Sequence, residues 1–262
     1  MIARLSLPLL LIAACAFSPS ADAEFASYAE QHKLAPLYPA RPNFSSGTVF
    51  RIQRSADGSR YVRVLCRNLF AGVAADRTSV ALESTMYSDP ERFNEALGVI
   101  YGLLFSAKQA EENLQAQKVR AIKLSYGEAA IEKLPSTIAL SETGSTLPLD
   151  PACLAVLTKL KSEESFEAVH VVDRALFVKR FGVEVERPRE STVDVIEMLG
   201  VDSDHKFESK GMNSVEIEAP YYIGMNSLSI VDIGLPESGG KPNMRVVKTG
   251  PAKLPERFRA WE

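Results

Sequence analysis

One stretch, residues 168–186, constrains this chain more than any other. Val169, Val171, Val172, Val178, Val183 and Val185 crowd it with β-branched side chains, with Leu176 among them. Branching at Cβ stiffens χ1 and favours the pleated surface of a sheet. Toward the end, Glu184 and Glu186 alternate with Val183 and Val185. That is the period of a strand with one buried and one solvated face. Gly182 inside the run is expected to mark a bulge or a bend.

Other segments add to the sheet. Residues 48–54 and 61–66 read as two strands joined by the turn Ala56-Asp57-Gly58-Ser59, a hairpin. Val80, Leu82, Ser84 and Met86 alternate as in an extended segment. Residues 119–126, 215–219, 223–233 and 244–248 read as further strands. Pro36, Pro39 and Pro42 force an extended passage after a short helix over residues 24–33.

Two principal helices are expected, over about 90–118 and 151–162. Ser88-Asp89-Pro90-Glu91 opens the first with a capping residue, proline at the first helical position and acid in the first turn. Phe93, Leu97, Ile100, Leu104 and Ala107 then recur at three or four residues. Gly98, Gly102 and Ser106 form a row of small residues on this helix, suited to close packing in a core. Asp150-Pro151 opens the second, with Leu154, Leu157 and Leu160 on one face. Residues 191–199 fit a short third helix, residues 236–242 a loop. The sum is an α+β fold, a mainly antiparallel twisted sheet with separate helices. It forms one domain over 24–250, followed by a polar tail, 251–262.

The first 23 residues read as an export signal. Arg4 supplies a basic start, and residues 5–14 are apolar apart from Ser6 and Pro8. Such a run is too short to span a bilayer, which takes about 20 residues. Two processing readings stand. Ile12-Ala13-Ala14-Cys15 is similar to a lipobox, with Cys15 lipidated and tethered at the outer membrane. Ala21-Asp22-Ala23 is a small-x-small site with cleavage before Glu24, giving a free periplasmic or secreted protein. A buried apolar first helix is the third option. Export implies an oxidising compartment. Of three cysteines, Cys66 and Cys153 then remain, and a disulfide between them is expected; the alternative is two separate buried thiols.

Chemistry is sparse. There is no G-x-S-x-G elbow, phosphate loop, dinucleotide fingerprint or H-E-x-x-H. Three histidines and three cysteines are too few for a Cys/His metal cluster. His32 and His205 sit in polar segments, while His170 lies on a strand with Asp173 toward the opposite face. Asp202 and Asp204 beside His205 read as a solvated loop. The carboxylate pairs at 111–112, 163–164, 184 and 186, and 216 and 218 read as solvated faces. No catalytic residue, metal ligand or cofactor is therefore assigned. Tyr221 and Tyr222, after Pro220 and before Gly224, are the candidate interface anchors. A net charge of -3, from 30 basic and 33 acidic residues, speaks against nucleic acid as a partner.

The segment from Ala168 through His170-Val171-Val172-Asp173 to Phe181-Gly182-Val183-Glu184-Val185-Glu186 resembles the paired-strand region of gasdermin pore-forming domains. The helix just before it would be residues 151–161. The start, residues 28–50, is also similar to that of bacterial gasdermins. The resemblance implies a twisted sheet whose strands lengthen into membrane hairpins, with a lipidated cysteine near the start. Alternating strands such as 183–186 would suit a barrel with one lipid face and one wet face. The export signal departs from the family, which is cytosolic.

Three functions follow as expectations. The first is a non-enzymatic envelope protein with a binding or assembly role, its partner an envelope protein or membrane lipid. The second is a gasdermin-like pore-forming protein. The third is an exported enzyme, which no constellation of residues favours.

Overall fold

The computed structural model describes residues 32, 34–54, 60–135, 149–163, 169–188, 192–234 and 243–247. Its eleven strands form one sheet, and every pairing is antiparallel. Two long strands make the spine. They are β8 (Val169–Glu186), of 18 residues, and β10 (Ser214–Gly234), of 21. They pair from Ser214↔Glu184 to Ser229↔His170. Along the outer edge of β10 lie, in series, β9 (Lys206–Gly211), β1 (Ala35–Arg41) and β11 (Asn243–Val247). Along the outer edge of β8 lie β6 (Ala121–Gly127), β7 (Ala130–Lys133) and β2 (Val49–Arg54). A last row of short strands covers these: β5 (Thr85–Tyr87) on β6, β4 (Asp76–Ser79) on β7, and β3 (Arg60–Cys66) on β2. The α+β class and the antiparallel sheet are thus as the sequence implies.

The strongest β region forms one uninterrupted strand. Gly182 is neither a bulge nor a bend: it pairs in register with Ser125 on one side and Glu216 on the other. Its role is close approach, because a Cβ there would fall on the Ser125 hydroxyl. The expected break after residue 219 is also absent. Pro220 lies inside β10, at a register shift between Glu218 and Tyr221. A bulge tolerates a residue with no N–H to give to the ladder. Residues 80–84 are not a strand; β4 and β5 flank them. The hairpin of β2 and β3 is present, while its turn at 55–59 lies outside the described residues. So do nearly all of the expected first helix at 24–33, the export signal, the loop at 236–242 and the tail at 251–262.

The helix expected over 90–118 is two helices. Asp89 accepts the Glu91 N–H and starts a 3-10 turn, Pro90–Arg92, that leads into α1 (Phe93–Ile100). A second 3-10 turn, Tyr101–Leu103, ends at Leu104 in an extended conformation. Ser106 then caps α2 (Ala107–Ala116) by accepting the Gln109 N–H. The apolar period runs through this break because both helices face the same core. Ser106 is thus a cap rather than part of a small-residue row. Of that row, Gly102 alone meets a neighbour, since a Cβ on it would lie 2.9 Å from the Tyr221 ring, whereas one on Gly98 would meet nothing within 4 Å. Asp150 caps α3 (Pro151–Ser162) at the Cys153 N–H. Asp194 caps α4 (Val195–Leu199), which ends at left-handed Gly200.

Three apolar clusters hold the layers together. In the largest, α1, α2 and α4 bury Phe93, Leu97, Ile100, Leu114 and Met198 against Phe181, Val183, Val215 and Ile217. The second lies under α3 and joins Cys153 and Leu157 to Val49, Leu69, Val171 and Leu228. The third packs Phe44 and Phe50 with Val172, Tyr222 and Met225. Cys66, at the end of β3, is disulfide-bonded to Cys153 in the first turn of α3, with Cα atoms 5.4 Å apart across 87 residues of sequence.

Candidate functional site

The spine carries most of the polar detail worth examining. In its first part, β8 and β10 present one apolar and one charged face together. Phe181, Val183, Val215, Ile217 and Ala219 lie fully buried under the helices. Glu184, Glu216, Glu218 and Arg180 point the other way, in keeping with a strand period of two. Arg180 donates to Glu216 at 3.0 Å and to Glu128 at 2.7 Å. Lys179 reaches Glu128 at 3.1 Å. Glu128 sits at the β6–β7 turn with φ +53. The hydrogen bond from Lys179, followed by the charges of Lys179 and Arg180, holds its carboxyl below the usual carboxylate range. This places the charges of β8 on the turn that crosses it.

Beside that cluster lies an open groove of about 770 Å³, lined by Arg77, Leu82, Tyr126, Phe177, Lys179 and Pro220 among others. Two of its lining residues, Arg77 and Phe177, belong to a network around a buried carboxylate. The Tyr222 hydroxyl donates to Glu132 Oε2 at 3.0 Å, and Arg77 bonds the other carboxylate oxygen. Glu132 is only 4% exposed, and the Arg77 guanidinium lies 4.5 Å from the centre of the Phe177 ring. Burial first, then the charge of Glu132, pushes the Tyr222 phenol well above its ordinary value. Nothing in the sequence signals this group, since Tyr222 and Glu132 are 90 residues apart and Arg77 and Glu132 are 55 apart.

Tyr221 and Tyr222, the candidate interface anchors, are both packed within the chain. Tyr221 donates to the Gly102 carbonyl at 3.0 Å and packs edge-on against the His205 ring at 5.8 Å. Burial, then Asp202, raises its phenol. Cys66 and Cys153 are brought together, as described above; Cys15 lies outside the described residues.

The other polar candidates are local. His170 stacks on Phe50 at 5.3 Å and its Nδ1 lies 3.1 Å from the Ser229 hydroxyl. Burial lowers its pKa. Asp202 accepts the Asp204 N–H, and His205 Nε2 lies 3.2 Å from the Gly102 carbonyl oxygen. Among the described residues no group of three or more His, Cys, Asp or Glu side chains could hold a metal ion. Among them, too, no helix is long and apolar enough to cross a membrane.

No protein-family model matches the chain, and no curated protein matches it by sequence. Among solved structures it is similar to a bacterial gasdermin from Bradyrhizobium tropiciagri. The TM-score is 0.50 at 14% identity, over 86% of this chain and 91% of that one. The fold is gasdermin-like.

Proposed function

We propose that this chain is a membrane pore-forming protein that enters the bilayer through its strands. The carrying observation is the spine. β8 and β10 have 18 and 21 residues, well beyond the roughly 9–11 that a tilted strand needs to cross the hydrocarbon core. Over Phe181–Glu186 and Ser214–Ala219 they are paired so that one shared face is apolar and the other charged. Lipid on the first face and water on the second satisfies both, as in a membrane barrel. In the folded chain α1, α2 and α4 occupy the apolar face, so these helices must leave before lipid can take their place. The gasdermin-like fold supports the same reading.

Residues 1–23 would deliver the pore-former to the envelope, and a lipid on Cys15 would hold it at the outer membrane. Dye release from liposomes is the direct test, using residues 24–262 and 24–250 at micromolar concentration. Release is the expected result; vesicles that stay intact with both forms, oxidised and reduced alike, would overturn the pore. Palmitate labelling of the wild type against Cys15→Ala tests the tether, which fails if the variant keeps its label.

A further inference from the structure

The second cluster lies at one end of the spine, where Val169 and Val171 of β8 and Leu228 and Ile230 of β10 meet Val49, Leu69, Cys153 and Leu157. β2 meets β8 through three register pairs, Val49↔Val171, Phe50↔His170 and Arg51↔Val169, and then runs on paired only to β3 among the described residues. α3 buries two of its twelve residues fully, Cys153 and Leu157. Its strand contacts are chiefly with β3 and β10. The small cluster beneath it is distinct from the main core under α1, α2 and α4. One covalent bond joins two pieces of that corner, the end of β3 and the first turn of α3. Cys153 is fully buried, while Cys66 is half-buried.

We propose that the Cys66–Cys153 disulfide is a redox latch: its reduction by a thiol releases α3 and β3 from the second cluster while β8 and β10 stay paired. A small-molecule thiolate attacks Cys66 Sγ, forming a mixed disulfide and expelling Cys153 as a thiolate that takes up a proton. A second thiol then displaces Cys66 as a thiol. Two thiols are thereby oxidised to one disulfide, and two electrons and two protons enter the protein. With the bond gone, non-covalent contacts alone hold the corner, among them the β2–β8 pairs, the Asp150 N–H donated to the Leu69 carbonyl and the two buried side chains of α3, and it opens as a local unit below the free energy of global unfolding. Val171 and Leu228, the spine residues under α3, then lose their cover. The consequence drawn from this rests on the pore reading: the reduced chain is the membrane-active form.

Hydrogen exchange on the full chain tests the latch without a membrane. The oxidised protein, the same protein in a dithiol reductant and Cys66→Ser/Cys153→Ser are compared by mass spectrometry. Exchange in β3 and α3 is expected to quicken by about tenfold or more in the reduced protein, with β8 and β10 changing by less than about twofold. Unchanged exchange in α3, or equal acceleration across the whole sheet, would overturn the latch. Reduced wild-type protein carries the comparison where the double variant does not fold. Liposome leakage is read in parallel. Leakage several-fold greater on reduction supports the activating role, and equal leakage in both redox states overturns it while leaving the pore intact. Leakage in neither state, with α3 still responding, overturns the pore and its activation and leaves the latch standing.

Discussion

Tyr222 shows how one hydroxyl can bind four strands. It lies on β10 and donates to Glu132 on β7, which pairs with Arg77 on β4, whose guanidinium covers Phe177 on β8. A carboxylate this buried needs every donor it has. Tyr222→Phe should therefore cost about 1–3 kcal/mol in urea unfolding. A double-mutant cycle with Arg77→Lys should return a coupling that is not zero. A second residue-scale prediction concerns alkali. Burial raises the Tyr126 phenol from 10.0 to about 12. Above pH 10 the unfolded chain therefore loses a proton that the folded chain keeps. Stability should be unaffected below that pH and fall as pH rises toward 12. Tyr221 and Tyr222 shift in the same direction and add to the slope. Melting temperatures across this range would check it, and Tyr126→Phe should flatten the decline.

At the scale of elements, the caps are the sharpest sequence signals and also the source of the clearest misreading. Asp89, Asp150 and the prolines after them start helices where expected. Ser106 has the same chemistry, but the apolar period runs unbroken through it, and that period reads as one helix. Its removal by Ser106→Ala should cost about 1 kcal/mol and loosen α2 more than α1, measured by urea unfolding and by exchange of the α2 amides. Strands were legible where valine alternation was dense, as in β8. They were not legible where side chains are polar, as in the fully exposed β9 or β4, which exist because β10 and β7 offer them hydrogen bonds. Pro220 interrupts the strand pattern in the sequence because a local rule about proline cannot see the bulge that accommodates it. The disulfide was legible by counting, since few cysteines leave few pairings. The network around Glu132 was not, because its members are brought together only by the order of strands in the sheet.

For the molecule as a whole, the sheet is organised outward from one long pair. β8 has strands on both sides along nearly all its length, and so does β10. The amides of Phe177–Val183 and Val215–Met225 should accordingly be the last to exchange in the native protein, with β3, β5 and β9 exchanging first. Mass spectrometry of peptides from these strands would show the order, and rapid exchange in the spine would contradict it.

The six short strands that line the spine have a further consequence. A long, flat strand with a bare edge invites the next chain to pair with it, and soluble proteins guard such edges with short or charged strands. Among the described residues the guards cover most of both strands, because each takes up a different stretch of backbone. Chain-to-chain pairing along the spine can therefore begin only after guards have been peeled away, one segment at a time. The same arrangement sets the sequence in which neighbouring chains could be joined.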